Sequence, residues 1–323
     1  MSTLKKIKNS LQDGSFSNKV KRKCLKLVIK NGNTRNKLLQ DMALRELQRD
    51  YGAKLKELVE SYEAAPMEYS NKVWIFWRQG YENAPQLIKA CYDSVKRNLT
   101  NRDIVFLSEE NLHKYITLPD YIEENRGGGI PEAQYSDIIR ITLLEKYGGL
   151  WLDSTVLCTG PDFARKLEKW PLFVYKMEDL DRSEEQALVC SNWMISCYTN
   201  VPYIRAVRDL IYEYWKKEKY LKNYYIFHLF SNRSEEHTSE LQSLRHLVKD
   251  IYSKEWKAIP VYNNISPHIL AFEMLDQYSA ERFSEIKRMS DFHKLNRHIV
   301  DEIPENMDVQ GTYLDLISQE KIF

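Results

Sequence analysis

The sequence predicts an α/β protein: a mostly parallel sheet with helices on both faces, preceded by a helical extension. Three observations carry this. From Lys72 onward, short apolar runs ending in polar residues or glycine alternate with amphipathic stretches at helical spacing, the signature of βα units. The connections between them are short, which favours parallel strands with crossover helices. Ahead of that region lies a strongly basic segment with helical periodicity and no strand signal.

Taken in order, the first helix is read in NKVKRKCLKLVIKNG. Val20, Cys24, Leu27 and Val28 share one face there, surrounded by Lys19, Lys21, Arg22, Lys23, Lys26 and Lys30. Asn31-Gly32-Asn33 is a stop signal. A second helix carries a stripe at Leu44, Leu47, Tyr51, Leu55, Leu58 and Tyr62. KVWIFWRQG then reads as a buried strand opening into a loop, APQLIKACYDSVKRN as an amphipathic helix, and DIVFLSE as a second strand. PEAQYSDIIRITLLEKYGG is a helix with Ile138, Ile141 and Leu144 on its apolar side and a Gly-Gly end. GLWLDSTVLCT is a third strand broken at a polar centre. Further on, YIRAVRDLIYEYWKKEKY reads as a helix with Ile211, Tyr214 and Trp215 inward. The division expected is a basic helical extension over 1–65 and one domain over 66–323.

Composition bounds the function. With 43% hydrophobic and 12% aromatic residues among 323, there is enough apolar mass for a core, which excludes global disorder. No apolar run approaches the roughly 18 residues of a spanning helix, and the N-terminus shows no signal-peptide core. The five cysteines, 24, 91, 158, 190 and 197, form no CxxC pair and predict reduced thiols in a cytosol. The net charge of +1 conceals an asymmetry. Residues 1–50 hold 13 Lys/Arg against 4 Asp/Glu, a net of +9, while residues 51–323 hold 34 against 42, a net of −8. A basic helix with an apolar face suits the anionic inner surface of a cell membrane, although packing on the body or on a partner protein would also use it. No GxGxxG, GKS/T, GxSxG or HExxH string occurs, which removes the main signals for dinucleotide oxidoreductases, P-loop enzymes, hydrolase elbows and zincins. Basic and aromatic residues do not interleave as in RNA binders, so no nucleic-acid partner is expected.

The chemistry concentrates in YSDIIRITLLEKYGG and LWLDSTVLCT. Asp153 between apolar strand residues is costly in a sheet interior and belongs at a strand end, where open α/β sheets bind ligands. Asp137 and Arg140, three apart on one helix, are neighbours; on a surface their pairing would contribute little. Asn192-Trp193 is a further candidate, since Trp stacks on sugar faces but also fills cores.

The string SDIIRITLLEKYGGLWLDSTV resembles the signature of capsular-polysaccharide-synthesis glycosyltransferases, related to glycosyltransferase family 32. The likeness reaches VWIFWRQG, APQLIKACYDSVKRN and the later FHLF, Ile259-Pro260, Ser266-Pro267-His268 and FHKL; it spans about residues 70–298 and leaves the first 65 uncovered. It implies a GT-A (Rossmann-like) fold and a hexosyltransferase-type enzyme moving sugar from a nucleotide-sugar donor to a surface polysaccharide or lipid-linked oligosaccharide, with retention. By resemblance, Trp77, Gln79, Gly80 and Ser136 line the nucleotide pocket, Asp137 binds ribose or sugar hydroxyls, and Arg140 orients Asp137 or offsets diphosphate charge. Asp153 is the first carboxylate of a D-x-D element holding Mn²⁺ or Mg²⁺ on the diphosphate. The second carboxylate is replaced by Thr155, a weaker ligand, so His293 is expected to complete the metal site and Lys294 to assist the diphosphate. His228 is a lesser candidate. Thr155 also leaves open a non-catalytic scaffold that binds nucleotide or glycan without turnover.

Residues 233–243, RSEEHTSELQS, match over all 11 positions the translation of a widely used short-read sequencing adapter. The segment is expected to be foreign to the protein, so His237 and its glutamates are assigned no chemistry.

Overall fold

In a computed structural model, the structure describes residues 16–176, 190–231, 268–304 and 307–321. The suspected insert at 233–243 and the Ile259-Pro260 and Ser266-Pro267 positions lie outside them.

Helices α1 (Phe16–Val28) and α2 (Gly32–Glu60) are divided at Asn31, whose side-chain oxygen accepts from the Asn33 and Thr34 N–H groups. The stop signal of the first helix is thus the N-cap of the second. Strands β1 (Lys72–Phe76), β2 (Asp103–Leu107) and β3 (Gly149–Asp153) are the three apolar runs; helix α3 (Gln86–Asn98) links the first two, and α4 (Asp120–Glu123) and α5 (Glu132–Tyr147) precede the third. Then come β4 (Val156–Cys158), α6 (Asp162–Leu167), β5 (Leu172–Lys176), β6 (Cys190–Cys197), α7 (Pro202–Lys217) and α8 (Ile226–Phe230). The described remainder holds α9 (Ile269–Glu273), α10 (Ala280–Met289), β7 (Phe292–Lys294), α11 (Arg297–Glu302) and α12 (Tyr313–Ser318).

The sheet has the order β2-β1-β3-β6-β5. β1 pairs parallel with β2 and β3; β6 runs antiparallel to both β3 and β5, so four of the five strands share one direction. Side-chain alternation splits the core. Trp74, Trp151 and Ile195 face α5 and α7, while Val73, Ile75, Leu150, Leu152 and Met194 face α3, α6 and Phe292. A third cluster closes α3 against Leu270, Phe283, Tyr313 and Ile317 near the C-terminus. Helices therefore cover both faces, as the sequence pattern predicts.

Three expectations are refined. Helix α5 is buried almost all round, from Gln134 to Leu144, because it sits between the sheet and α7. Its Asp137–Arg140 pair is consequently a buried one. Inward placement of Ile211, Tyr214 and Trp215 on α7 holds, each 2% exposed or less. The expected boundary at residue 65 is no break in packing: Leu47, Tyr51, Val59 and Tyr62 join the same core cluster as Trp74 and Trp151, and the Tyr62 hydroxyl donates to Asp209 at 2.8 Å. Among the described residues of the extension, the end of α1 stands away from that core, with Leu27 and Val28 over 80% exposed.

The Gly148-Gly149 pair is required by close approach. Gly149 has φ +97°, and a Cβ there would lie 2.5 Å from the Lys72 carbonyl oxygen. Gly148, at φ +60°, accepts a hydrogen bond on its carbonyl from the Trp74 indole N–H at 2.9 Å. Two glycines thus let the helix end run directly into β3 beside β1.

Candidate functional site

The order β2-β1-β3 means that the chain leaves β1 in one direction to build β2 and returns on the other side to build β3. The carboxyl ends of β1 and β3 therefore flank a topological switch point, where open α/β sheets bind ligands. Phe76 and Asp153 are register partners at those ends. A cavity of about 880 Å³ opens there, lined by Trp77 and Gln79 after β1, by Ser136, Asp137 and Arg140 from α5, and by Asp153, Ser154 and Thr155 after β3. Tyr175, Asn192 and Trp193 from β5 and β6, Tyr224, Tyr225 and His228 around α8, and His268, Phe272, Lys294 and Arg297 complete it.

At its centre is a chain of ion pairs. Arg140 donates to Asp137 Oδ1 through Nη1 and to Asp153 Oδ1 through Nη2 at 2.7 Å. Asn192 Nδ2 donates to Asp137 Oδ1 at 2.8 Å, and Trp151 Nε1 to Asp153 Oδ1 at 3.0 Å. Lys294 Nζ donates to Asp153 Oδ2 at 2.7 Å and to Thr155 Oγ1 at 2.9 Å. The short ladder between β4 and β7 makes this possible, pairing Val156 with Lys294, while the Leu295 N–H donates to the Thr155 carbonyl at 2.9 Å.

The two carboxyls are driven apart. Burial opposes ionisation of Asp153, but the charges of Lys294 and Arg140 outweigh it and hold that carboxyl at about 2. For Asp137 burial dominates and raises it to about 6, against the lowering pull of Arg140. His228 is lowered to about 4 by burial and by the Arg140 charge, so it is a neutral imidazole.

Eight of the residues singled out in the sequence meet in this cavity: Trp77, Gln79, Ser136, Asp137, Arg140, Asp153, Thr155 and Lys294. His228, Asn192 and Trp193, weighed as lesser candidates, line it too. Trp193 stacks on Tyr175 with ring centroids 5.0 Å apart.

Two do not line it. Gly80 forms the turn behind Trp77, its N–H donating to the Trp77 carbonyl at 3.0 Å with φ +79°. His293 pairs with Leu157 in the ladder, so alternation turns it away from the face that carries Lys294. It is 2% exposed, pushed down to about 4 by burial, and its Nε2 lies 3.1 Å from Thr159 Oγ1.

The donor set does not fit a divalent metal. Asp153 Oδ1 accepts from two groups, Oδ2 accepts from an ammonium, the Thr155 hydroxyl accepts from that ammonium, and His293 faces elsewhere. Among the described residues no three His, Cys, Asp or Glu side chains are grouped to hold a cation.

Sequence reasoning missed Tyr175, Tyr224, Tyr225, Phe272 and the rim charges Arg78, Glu132 and Arg297. Arg78 bridges Glu109 and Glu132, and Arg297 lies over the Trp77 ring at 5.4 Å. The only available signal was adjacency: Tyr224-Tyr225 precede His228 closely, and Arg297 follows Lys294 within one turn.

Comparison with known proteins is consistent with the strings that carry the site. A family model described as "Capsular polysaccharide synthesis protein" matches residues 24–315. The match takes in α2 and part of α1, so residues 24–65, which the resemblance left uncovered, fall within it. The curated protein "O-glycosyltransferase braB" of Annulohypoxylon truncatum is 30% identical over 99 residues, 28% of this chain. Those residues span only 24% of that protein's length. The solved structure "PaToxG Glycosyltransferase" aligns with 58% of this chain and 77% of its own, at 16% identity and a TM-score of 0.32.

Proposed function

The chain belongs to the capsular polysaccharide synthesis protein family, and on that premise we propose that its cavity transfers a sugar from a nucleotide-sugar donor to a surface polysaccharide or lipid-linked oligosaccharide. One observation carries the reading. Four buried side-chain nitrogens without a hydrogen-bond partner, Trp77 Nε1, Arg140 Nε, Trp193 Nε1 and His228 Nδ1, belong to residues lining this one cavity. A buried unpaired polar group costs about 1–3 kcal/mol, so four of them around one cavity mark a place kept polar at the expense of stability. The Trp and Arg members are donors that a small side-chain shift would turn toward a ligand rich in acceptors, as diphosphates and sugars are. The volume suits such a ligand, within the roughly 300–1,000 Å³ usual for small-molecule sites.

In this reading the site is of GT-A type. Trp77 and Gln79 meet the base or ribose, Ser136 and Asp137 the ribose or sugar hydroxyls, and the Trp193–Tyr175 stack a sugar face. Transfer breaks the bond between the sugar's anomeric carbon and a diphosphate oxygen, which keeps the electron pair. The acceptor hydroxyl oxygen bonds to that carbon, and its proton passes to the departing diphosphate. No separate base is needed, which accords with retention. Arg140 holds Asp137 and Asp153 in place for this.

The exposed Leu27 and Val28 on α1, among Lys21, Arg22, Lys23 and Lys26, support peripheral attachment to the anionic inner face of the cell membrane.

The test is release of nucleoside diphosphate from a panel of nucleotide sugars by the full chain, compared with Asp153→Asn. Release by the wild type that the variant loses is expected. Wild-type binding without any release would instead leave the non-catalytic scaffold that Thr155 allows.

A further inference from the structure

We propose that Lys294 stands where this site would otherwise need a divalent metal: its ammonium, seated between Asp153 and Thr155, is the cation that receives the donor's diphosphate. The inference rests on the nucleotide-sugar reading above and adds to it which charge does the work.

Three observations support it. First, the groups that a metal would need are in use by a cation of the chain. Lys294 Nζ lies 2.7 Å from Asp153 Oδ2 and 2.9 Å from Thr155 Oγ1, while Asp153 Oδ1 is taken by Arg140 and Trp151. Second, the charges already balance. Asp137 and Asp153 face Arg140 and Lys294, so a divalent ion would bring two further positive charges with no unpaired carboxylate in the lining to meet them. Glu132, the remaining acid in the lining, is paired with Arg78. Third, Lys294 is positioned by main chain on both sides, through its pairing with Val156 and the Leu295 N–H bond to Thr155. An ammonium has three donors; two hold it in place, and the third is available to the cavity that Lys294 lines.

Chemically, the departing diphosphate gains negative charge as its oxygen keeps the electron pair of the breaking bond. A fixed ammonium and the Arg140 guanidinium offset that charge without losing a proton, and a partly buried setting strengthens the attraction. The replacement of a D-x-D carboxylate by Thr155 then has a physical reason. A hydroxyl accepts a hydrogen bond from Lys294 without adding a charge that would need a metal.

The experiment is calorimetric titration of the full chain with UDP, GDP, CDP and dTDP, and with the matching nucleosides, in excess chelator and in Mn²⁺. At least one diphosphate should bind in chelator within about threefold of its affinity in Mn²⁺. Lys294→Ala should weaken it by roughly tenfold or more while leaving the nucleoside within about twofold, and Lys294→Arg should restore most of the loss. Binding that appears only with Mn²⁺, or Lys294→Ala binding as tightly as wild type, overturns the proposal. If Lys294→Ala shows no cooperative melting, the chelator comparison on wild type decides by itself. Failure of every diphosphate in both conditions is a different pattern and removes the nucleotide-sugar reading itself.

Discussion

Lys294 Nζ and Asp153 Oδ2 meet at 2.7 Å although 141 positions separate them in the chain. The contact joins the end of a central strand to a short C-terminal strand, and it places a fixed positive charge beside the cavity's most acidic group.

Asp153→Asn keeps the side-chain shape and removes the charge that Arg140 and Lys294 share. Nucleoside diphosphate release should fall by about 10²–10³-fold, since preorganised charges are misplaced by the change. Circular dichroism should show a folded chain, because the sheet and its two packed faces do not involve that charge. Full activity in the folded variant would remove Asp153 from the site.

Trp193→Phe removes the indole N–H and part of a buried ring. The N–H has no partner in the unliganded protein, so the melting temperature should fall only by the lost packing against Tyr175 and the core. The diphosphate sugar should bind about 5–10-fold more weakly if that N–H meets it, in line with one hydrogen bond. Equal affinity in Trp193→Phe would show that the ligand does not reach the indole.

The two carboxyls give opposite pH signatures. Asp153 is held at about 2, below its ordinary 3.8, so the stability it contributes is present above pH 4 and is lost as pH falls through 2. Asp137 is raised to about 6, so its contribution is present below pH 4 and is lost as pH rises through 6. Melting curves of wild type and Asp137→Asn should therefore converge below pH 4, with the variant the more stable above pH 6. A difference independent of pH would contradict the burial of Asp137.

Two glycines should respond oppositely to alanine. Gly149→Ala forces a Cβ to within 2.5 Å of the Lys72 carbonyl at a positive φ and should destabilise by about 3 kcal/mol or more. Gly32→Ala, at the start of α2 with only the Arg35 guanidinium 3.8 Å away, should stabilise by about 0.5–1 kcal/mol. Denaturant titration measures both. Similar effects at the two positions would sink the close-approach argument.

Flotation with liposomes tests the α1 surface. Wild type should float with vesicles containing anionic lipid and lose that association in Leu27→Asp/Val28→Asp, with nucleotide binding retained. Flotation unchanged by the double substitution would assign the membrane contact elsewhere.

Local pattern was enough for much of the fold. The strands at Lys72–Phe76, Asp103–Leu107 and Gly149–Asp153 and the helices between them follow from apolar runs, 3.6-residue spacing and a Gly-Gly end, all of which act within a few residues. Asp153 was legible for the same reason, since a polar group inside an apolar strand is costly without a site, whereas Asp137 and Arg140 were singled out by their nearness to it and by the family resemblance. His293 and Lys294 show where that reasoning stops. They are adjacent in sequence and equally plausible as cation or metal ligands, yet strand alternation sends one to Thr159 and the other to Asp153. Likewise, the basic extension read as an appendage becomes, from Leu47 to Tyr62, part of the central core. The sequence by itself determined where the strands and helices of the central sheet form and which polar residues interrupt them. Tertiary structure decided which face each one reaches, because a one-residue step along a strand reverses the side chain's direction and no short-range signal records the partner across the ladder.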